Sequence, residues 1–278
     1  MKTRAITGFF FVIVMLGSML LGPYVFGVFF LLLSAFCLFE FYGLIKQNTA
    51  NPNATEGIVT GMLLFGGIAL LNYAATSALP VLNGLKTAHL LLFLVPLASC
   101  AIFITELFKK SATPFNNIAY TFLGLVFVTI PFIFFHALDY LQGDFNYHFP
   151  LVFMVLLWSN DTGAYLAGRQ FGHTKLFERH SPKKTWEGFA GGIVAGCIAA
   201  YIFSLYYQEL PWIQWMIVAV LISVFGTLGD LIESMFKRSL HIKDSGGILP
   251  GHGGLLDRFD GLLLAAPIVY TYLYWLLS

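Results

Sequence analysis

Apolar residues fall in nine long blocks along this chain, each bounded by short polar stretches. The blocks are Ile6–Leu21, Tyr24–Ile45, Gly57–Leu79, Ala88–Phe108, Phe115–Leu138, Phe149–Gly168, Phe189–Tyr207, Trp212–Ile232 and Leu262–Leu277. A helix that crosses a bilayer needs about 20 such residues, because lipid offers no partner to an exposed backbone N–H or C=O. The pattern therefore predicts an all-α polytopic membrane protein with about nine transmembrane helices. Gly22–Pro23 is the one break between the first two blocks. Because a second apolar run follows at once, Ile6–Leu21 is expected to be a retained span, not a cleaved signal peptide. Tyr24, Tyr140, Tyr147, Tyr206, Tyr207, Trp212 and Trp275 gather at block ends, as an interfacial belt does.

Composition agrees. The chain has 278 residues, 58% hydrophobic and 10% charged, whereas soluble domains carry about 25% charged residues. The net charge of +1 is uninformative, but the placement of charges is not. With the N-terminus cytoplasmic, every Lys and Arg except Lys86 falls on the inner side, out of 15 in all. The outer loops hold Asp139, Asp144 and Glu209. That asymmetry sets the expected orientation. Cys37, Cys100 and Cys197 lie in separate apolar runs and read as small core residues without a disulfide. The chain divides into residues 1–145, spans with plain loops and a structural or dimerising role, and residues 146–278, a catalytic region with cytoplasmic loops 169–188 and 233–261.

Three polar constellations interrupt this second part. The densest runs from Gly229-Asp230 through Glu233, Ser234, Lys237 and Arg238 to Lys243-Asp244, then Gly251-His252-Gly253-Gly254 and Asp257-Arg258-Phe259-Asp260. Asp230, Glu233, Ser234 and Lys237 share one face of a helix by spacing, and Asp257 and Asp260 are spaced likewise at the head of the last span. Carboxylates at membrane helix ends are costly unless paired or bound to a cation. Two such ends could hold a hard cation such as Mg²⁺. The intervening glycines permit close backbone approach to a ligand, and the interleaved Lys and Arg can neutralise phosphate. Together they suggest metal-assisted phosphoryl or nucleotidyl transfer. Positive-inside topology explains the basic residues but not five acids within 230–260. Two residues keep a second reading: Glu233 as a mere partner of Lys237, and His252 as a residue ordering the turn.

The second constellation, Ser181-Pro182-Lys183-Lys184-Thr185, predicts a helix beginning at Pro182 whose N-terminus receives an anion; a capped helix start with topological lysines is the equal alternative. The third places Asn160 and Asp161 inside an apolar span, a functional hypothesis by default, set against a structural hydrogen-bonding role. Glu40 and Glu106, near spans and without polar neighbours in sequence, read as interfacial or structural.

Ser234-Met-Phe-Lys237-Arg238, Lys243-Asp244-Ser-Gly246 and Leu249-Pro-Gly-His252-Gly-Gly-Leu-Leu-Asp257-Arg258-Phe-Asp260 resemble the signature of the phosphatidate cytidylyltransferase, or CDP-diacylglycerol synthase, family. Ser181–Thr185 and Asn160–Tyr165 resemble further motifs of that family. The resemblance covers the C-terminal half closely, and the N-terminal half only as a string of spans. It implies the reaction of CTP with phosphatidic acid to give CDP-diacylglycerol and pyrophosphate, in a homodimer of the bacterial cytoplasmic membrane with its site facing the cytoplasm. It implies Mg²⁺ at Asp230 and Asp257, with a second, monovalent cation such as K⁺ as an optional companion. Asp161, Asp244 and Asp260 are then further ligands or their neighbours. Lys237, Arg238, Lys243 and Arg258 hold phosphates, and Ser181, Lys183, Lys184 and Thr185 complete the cradle, with Asn160, Ser234 and His252 beside the substrate. No nucleic-acid partner is expected. The rival readings are a CTP-dependent polyprenol kinase and, more remotely, a transporter, which commonly shows internal repeats absent here.

Overall fold

The computed structural model describes residues 2–75, 81–242, 245 and 253–278. Among these, a helical segment stands in each of the nine apolar blocks. Seven segments are long and apolar enough to cross a membrane. The remaining two are the first helix, whose apolar described stretch is Gly8–Leu20, and the helix that carries Asn160 and Asp161. The protein is an all-α, multi-pass membrane protein.

The chain forms two compact units, residues 1–146 with 240–258, and residues 147–239 with 259–278. The first contains α1 (Lys2–Leu20), α2 (Pro23–Asn48), α3 (Ala54–Ala75), α4 (Val81–Phe108), α5 (Pro114–Gly124) and α6 (Ile130–Ala137). Gly22 separates α1 from α2 with φ +102°, a backbone shape open to glycine, and Pro23 supplies the preset φ of a first helical residue. A π-helical stretch, Leu125–Thr129, joins α5 to α6. Pro131 comes one residue after that stretch and has no N–H to give to the turn before it, so the wider i→i+5 pattern absorbs the defect.

The core of this unit is aromatic. Phe26, Phe30, Phe132 and Phe135 are fully buried, with ring centroids 4.6 Å apart for Phe26–Phe30 and 5.0 Å for Phe30–Phe135. The Tyr42 hydroxyl donates to the Thr121 carbonyl at 2.6 Å. Glu106 departs from the sequence expectation, for it has ample polar company. Asn117 Nδ2 donates to its Oε1 at 2.6 Å and Asn53 Nδ2 to its Oε2 at 3.0 Å, with Lys109 Nζ at 3.5 Å. Lys109 is a local i+3 neighbour, but the two amides come from just before α3 and from the first turn of α5, outside the local window of Glu106. A carboxylate that is 2% exposed is tolerable only with such a shell. The cysteine reading also needs correction. All three are free, but only Cys37 is buried, whereas Cys100 is exposed and Cys197 half-buried. In a bilayer the outward face of a helix is as apolar as the inward one, so apolar context does not mark a core residue.

The second unit contains α7 (His148–Phe171), the strands β1 (Lys175–Phe177) and β2 (Ser181–Thr185), α8 (Trp186–Tyr206), α9 (Trp212–Ser239) and α10 (Asp260–Leu277). Small residues let α7 and α8 meet closely. A Cβ on Gly163 would lie 2.4 Å from the Ala195 Cβ, and one on Gly191 2.2 Å from the Ala167 Cβ. The same device brings α9 to α10, where a Cβ on Gly229 would sit 2.4 Å from the Asp260 carbonyl oxygen. Gly229 therefore fixes where its neighbour Asp230 stands.

The expected helix start at Pro182 is not observed. Ser181–Thr185 is a strand, paired antiparallel with β1 in the register Lys175↔Thr185 and Phe177↔Ser181. The helix begins at Trp186, where Thr185 is the cap: its extended backbone turns into the helix and its Oγ1 accepts from Gly188 N at 3.1 Å. Glu187 reinforces the turn by accepting from the backbone N–H groups of His173 and Thr174 at 3.1 Å. The hydroxyl three residues after the proline outcompetes the serine before it, because only Thr185 is placed to receive a first-turn N–H.

Candidate active site

The second unit encloses a cavity of about 390 Å³. One face of α7 lines it with Asn160, Asp161, Ala164, Tyr165, Gly168 and Arg169. These residues follow at helical spacing, so the intramembrane Asp161 and the terminal Arg169 look into one space. β2 contributes Lys183, Lys184 and Thr185, α8 contributes Gly188 and Phe189, and α9 contributes Thr227 and Asp230. Residues from all three polar constellations thus meet, though about 70 positions separate Asp161 from Asp230.

The central contact is an ion pair. Lys184 Nζ lies 2.6 Å from Asp230 Oδ2. The other oxygen of Asp230 accepts from the Ser234 hydroxyl at 3.2 Å, one helical turn on. Asn160 is 2% exposed and its Nδ2 stands 3.5 Å from Asp161 Oδ1, while its own Oδ1 is buried without a hydrogen-bond partner. Asp260, the first residue of α10, turns its Oδ1 onto the N–H of Gly261 at 2.6 Å. Charges of both signs therefore crowd the cavity wall, with Asp161 and Asp230 opposed by Lys183, Lys184 and Arg169.

Other expected site residues lie elsewhere. Glu233 is fully buried and its Oε2 is 2.6 Å from Lys237 Nζ, so the simple i, i+4 pairing is realised. Ser181, Ser234, Lys237 and Arg238 are not among the residues that line the cavity. Lys243, Asp244 and His252 lie outside the described residues. Asp257 and Arg258 belong to the first unit, in a 3₁₀ turn, Leu256–Arg258, that ends before α10 begins. Asp257 and Asp260 are therefore not successive turns of one helix, as their spacing suggested. The Asp257 carboxylate organises its own loop, with Oδ2 accepting from Ser245 N and Gly254 N, each at 3.1 Å. Gly253 has φ +84° and a Cβ there would meet Asp257 Oδ2 at 3.1 Å, which explains a glycine at that place.

Tyr165, Arg169 and Thr227 were missed in the sequence. The first two follow Asp161 at i+4 and i+8, and Thr227 precedes Asp230 by three, so helical spacing from each acid would have found them.

The sequence profile of the cytidylyltransferase family matches residues 2–276. The chain belongs to the cytidylyltransferase family. It is 35% identical over 273 residues to a phosphatidate cytidylyltransferase of Bacillus subtilis (strain 168), covering 97% of this chain and 96% of that protein. The protein of the same description from Staphylococcus haemolyticus (strain JCSC1435) is 33% identical over 271 residues, 97% of each chain. The one from Staphylococcus aureus (strain COL) is 34% identical over the same length and coverage. In a cytidylyltransferase, a cavity bearing two carboxylates and three cationic side chains has the chemistry needed for a nucleoside triphosphate. Among the described residues no three His, Cys, Asp or Glu side chains form a metal cage. The carboxylates that open on the cavity, Asp161 and Asp230, are nonetheless hard oxygen donors of the kind Mg²⁺ takes, one or two at a time, beside waters and phosphate oxygens.

Proposed function

We propose that this protein is a phosphatidate cytidylyltransferase. The observation that carries the proposal is the cavity in which Lys184 and Asp230 are paired beside Asp161, within a chain that matches phosphatidate cytidylyltransferases along 97% of its length. A phosphate oxygen of phosphatidic acid attacks the α-phosphorus of CTP. The bond from that phosphorus to the bridging oxygen of the β-phosphate breaks, pyrophosphate leaves, and a diphosphate linkage joins cytidine to the lipid. The attacking phosphate is already anionic at neutral pH, so little is asked of a general base. The difficulty is to bring two anions together and to stabilise charge on pyrophosphate, which positioning and preorganised charge can supply.

In this reading Lys183, Lys184 and Arg169 receive phosphate oxygens, and Asp161 and Asp230 hold Mg²⁺. Bound Mg²⁺ supplies neutralisation of the phosphates and stabilises the leaving group. Lys184 then exchanges Asp230 for phosphate. The motif also assigns Asp257 as a metal ligand, and that assignment rests on the sequence alone, as does a monovalent companion ion. The cavity faces the cytoplasm of a bacterial inner membrane, in keeping with the placement of Lys and Arg along the chain, and the enzyme acts as a homodimer.

The deciding experiment supplies purified protein with phosphatidic acid, Mg²⁺ and CTP labelled at the α-phosphate. Label should enter the lipid with release of pyrophosphate. Label retained in CDP identifies a lipid kinase and overturns the proposal. Replacing Lys184 with alanine removes a charge-assisted contact of about 2 kcal/mol, so the KM for CTP should rise by roughly a factor of 30. A CTP dependence equal to wild type would leave Lys184 with no part in binding.

A further inference from the structure

Another of the acids buried in the first unit, Glu40, has a position that only the fold explains. Glu40, on α2, is 6% exposed. Its Oε2 accepts the N–H of Leu256 at 2.7 Å across 216 residues of sequence. Leu256 is the residue immediately before Asp257. We propose that Glu40 is a positioning residue: its carboxylate anchors the loop 253–258 and so sets where the Asp257 side chain stands. This deepens the cytidylyltransferase reading and rests on it.

Three observations converge. The bond from Leu256, at 2.7 Å, has the short length that bonds to a carboxylate take. Gly254 sits so close that a Cβ there would fall 2.4 Å from Glu40 Oε1 and 1.9 Å from Ser245 Oγ. Ser245 and Gly254 are also the residues whose N–H groups point at Asp257 Oδ2. Glu40, through Leu256, and Asp257, through Ser245 and Gly254, therefore both hold this loop, in which Leu255 and Leu256 are buried. If this place needed only packing, a leucine would fill it without the desolvation of a carboxylate. A buried acid here is explained by a loop whose backbone must be held in one position.

The test uses the full-length protein in detergent, with kinetics and with hydrogen exchange of a peptide spanning 253–262. Glu40→Leu should lower kcat about thirtyfold while the KM for CTP stays within about threefold, as displacement of a reacting group does. The peptide should exchange roughly tenfold faster or more, with α2 itself unchanged. Glu40→Gln keeps an oxygen acceptor and should restore kcat to within about fivefold of wild type. Gly254→Ala, which displaces the loop while Glu40 remains, should reproduce the kcat loss and the faster exchange. Wild-type kcat or wild-type exchange in Glu40→Leu overturns the inference. Should that variant not fold, wild-type kcat in Gly254→Ala overturns it instead. Lack of any transfer by the wild-type protein sinks the cytidylyltransferase reading, whereas the exchange data still decide whether Glu40 holds the loop.

Discussion

Asp230→Asn is expected to slow CDP-diacylglycerol formation by about a hundredfold to a thousandfold, the scale of losing one preorganised charge at a reacting centre. Asp230 carries the negative charge that meets Lys184 at 2.6 Å and accepts the Ser234 hydroxyl. Asparagine keeps the shape and can still accept from Ser234, but it neither binds a cation well nor balances the ammonium. The fold should survive. Asp230 is half-buried at the cavity wall, and α9 is held against α10 through Gly229 and not through the carboxylate. The thermal midpoint should therefore stay within about two degrees of wild type, a change of about 1 kcal/mol or less. Assays of purified protein at saturating CTP and phosphatidic acid read the rate. Turnover within tenfold of wild type would remove Asp230 from the reaction.

The same residue shows what a sequence can carry. Hydropathy alone located the helical segment in each of the nine blocks, seven of them long and apolar enough to cross a membrane, because lipid forces each crossing to satisfy its backbone internally and so leaves a long apolar block. The i, i+4 pairs Asp230–Ser234 and Glu233–Lys237 were legible too, since a helix brings such residues together by its own geometry. The ion pair between Lys184 and Asp230 was not, because it depends on how α8 and α9 cross and on the hairpin that precedes α8. That hairpin was hidden behind a Ser-Pro sequence that reads as a helix start. Its strand pairing depends on Lys175–Phe177, which has no strand pattern of its own. The amide partners of Glu106 and the Leu256 contact of Glu40 were equally out of reach: Glu106 is met by the side chains of Asn53 and Asn117, and Glu40 by a backbone N–H 216 residues away. The acids and lysines of the cavity were thus visible as candidates, whereas Tyr165, Arg169 and Thr227 were not, and the grouping of all of them required the fold.

Asp257 offers the second large effect, and here two substitutions separate charge from scaffolding. Its Oδ2 receives two backbone N–H groups, from Ser245 and Gly254. In Asp257→Asn the amide oxygen can take that place, so the loop should keep its shape while the charge is lost. Turnover should then fall by about a hundredfold or more, with hydrogen exchange across 253–262 near wild type. In Asp257→Ala both N–H groups lose their acceptor, which costs about 1–3 kcal/mol for each donor left without a partner. That variant should lose turnover and also loop protection, exchanging at least tenfold faster. If the two variants are equally slow and equally unprotected, Asp257 acts through the loop's shape alone. If the asparagine variant turns over at near the wild-type rate, its charge has no part in the reaction, and the metal assignment drawn from the motif fails with it. A loss of rate in asparagine without a loss of protection is the outcome that requires a carboxylate at this position for the chemistry itself.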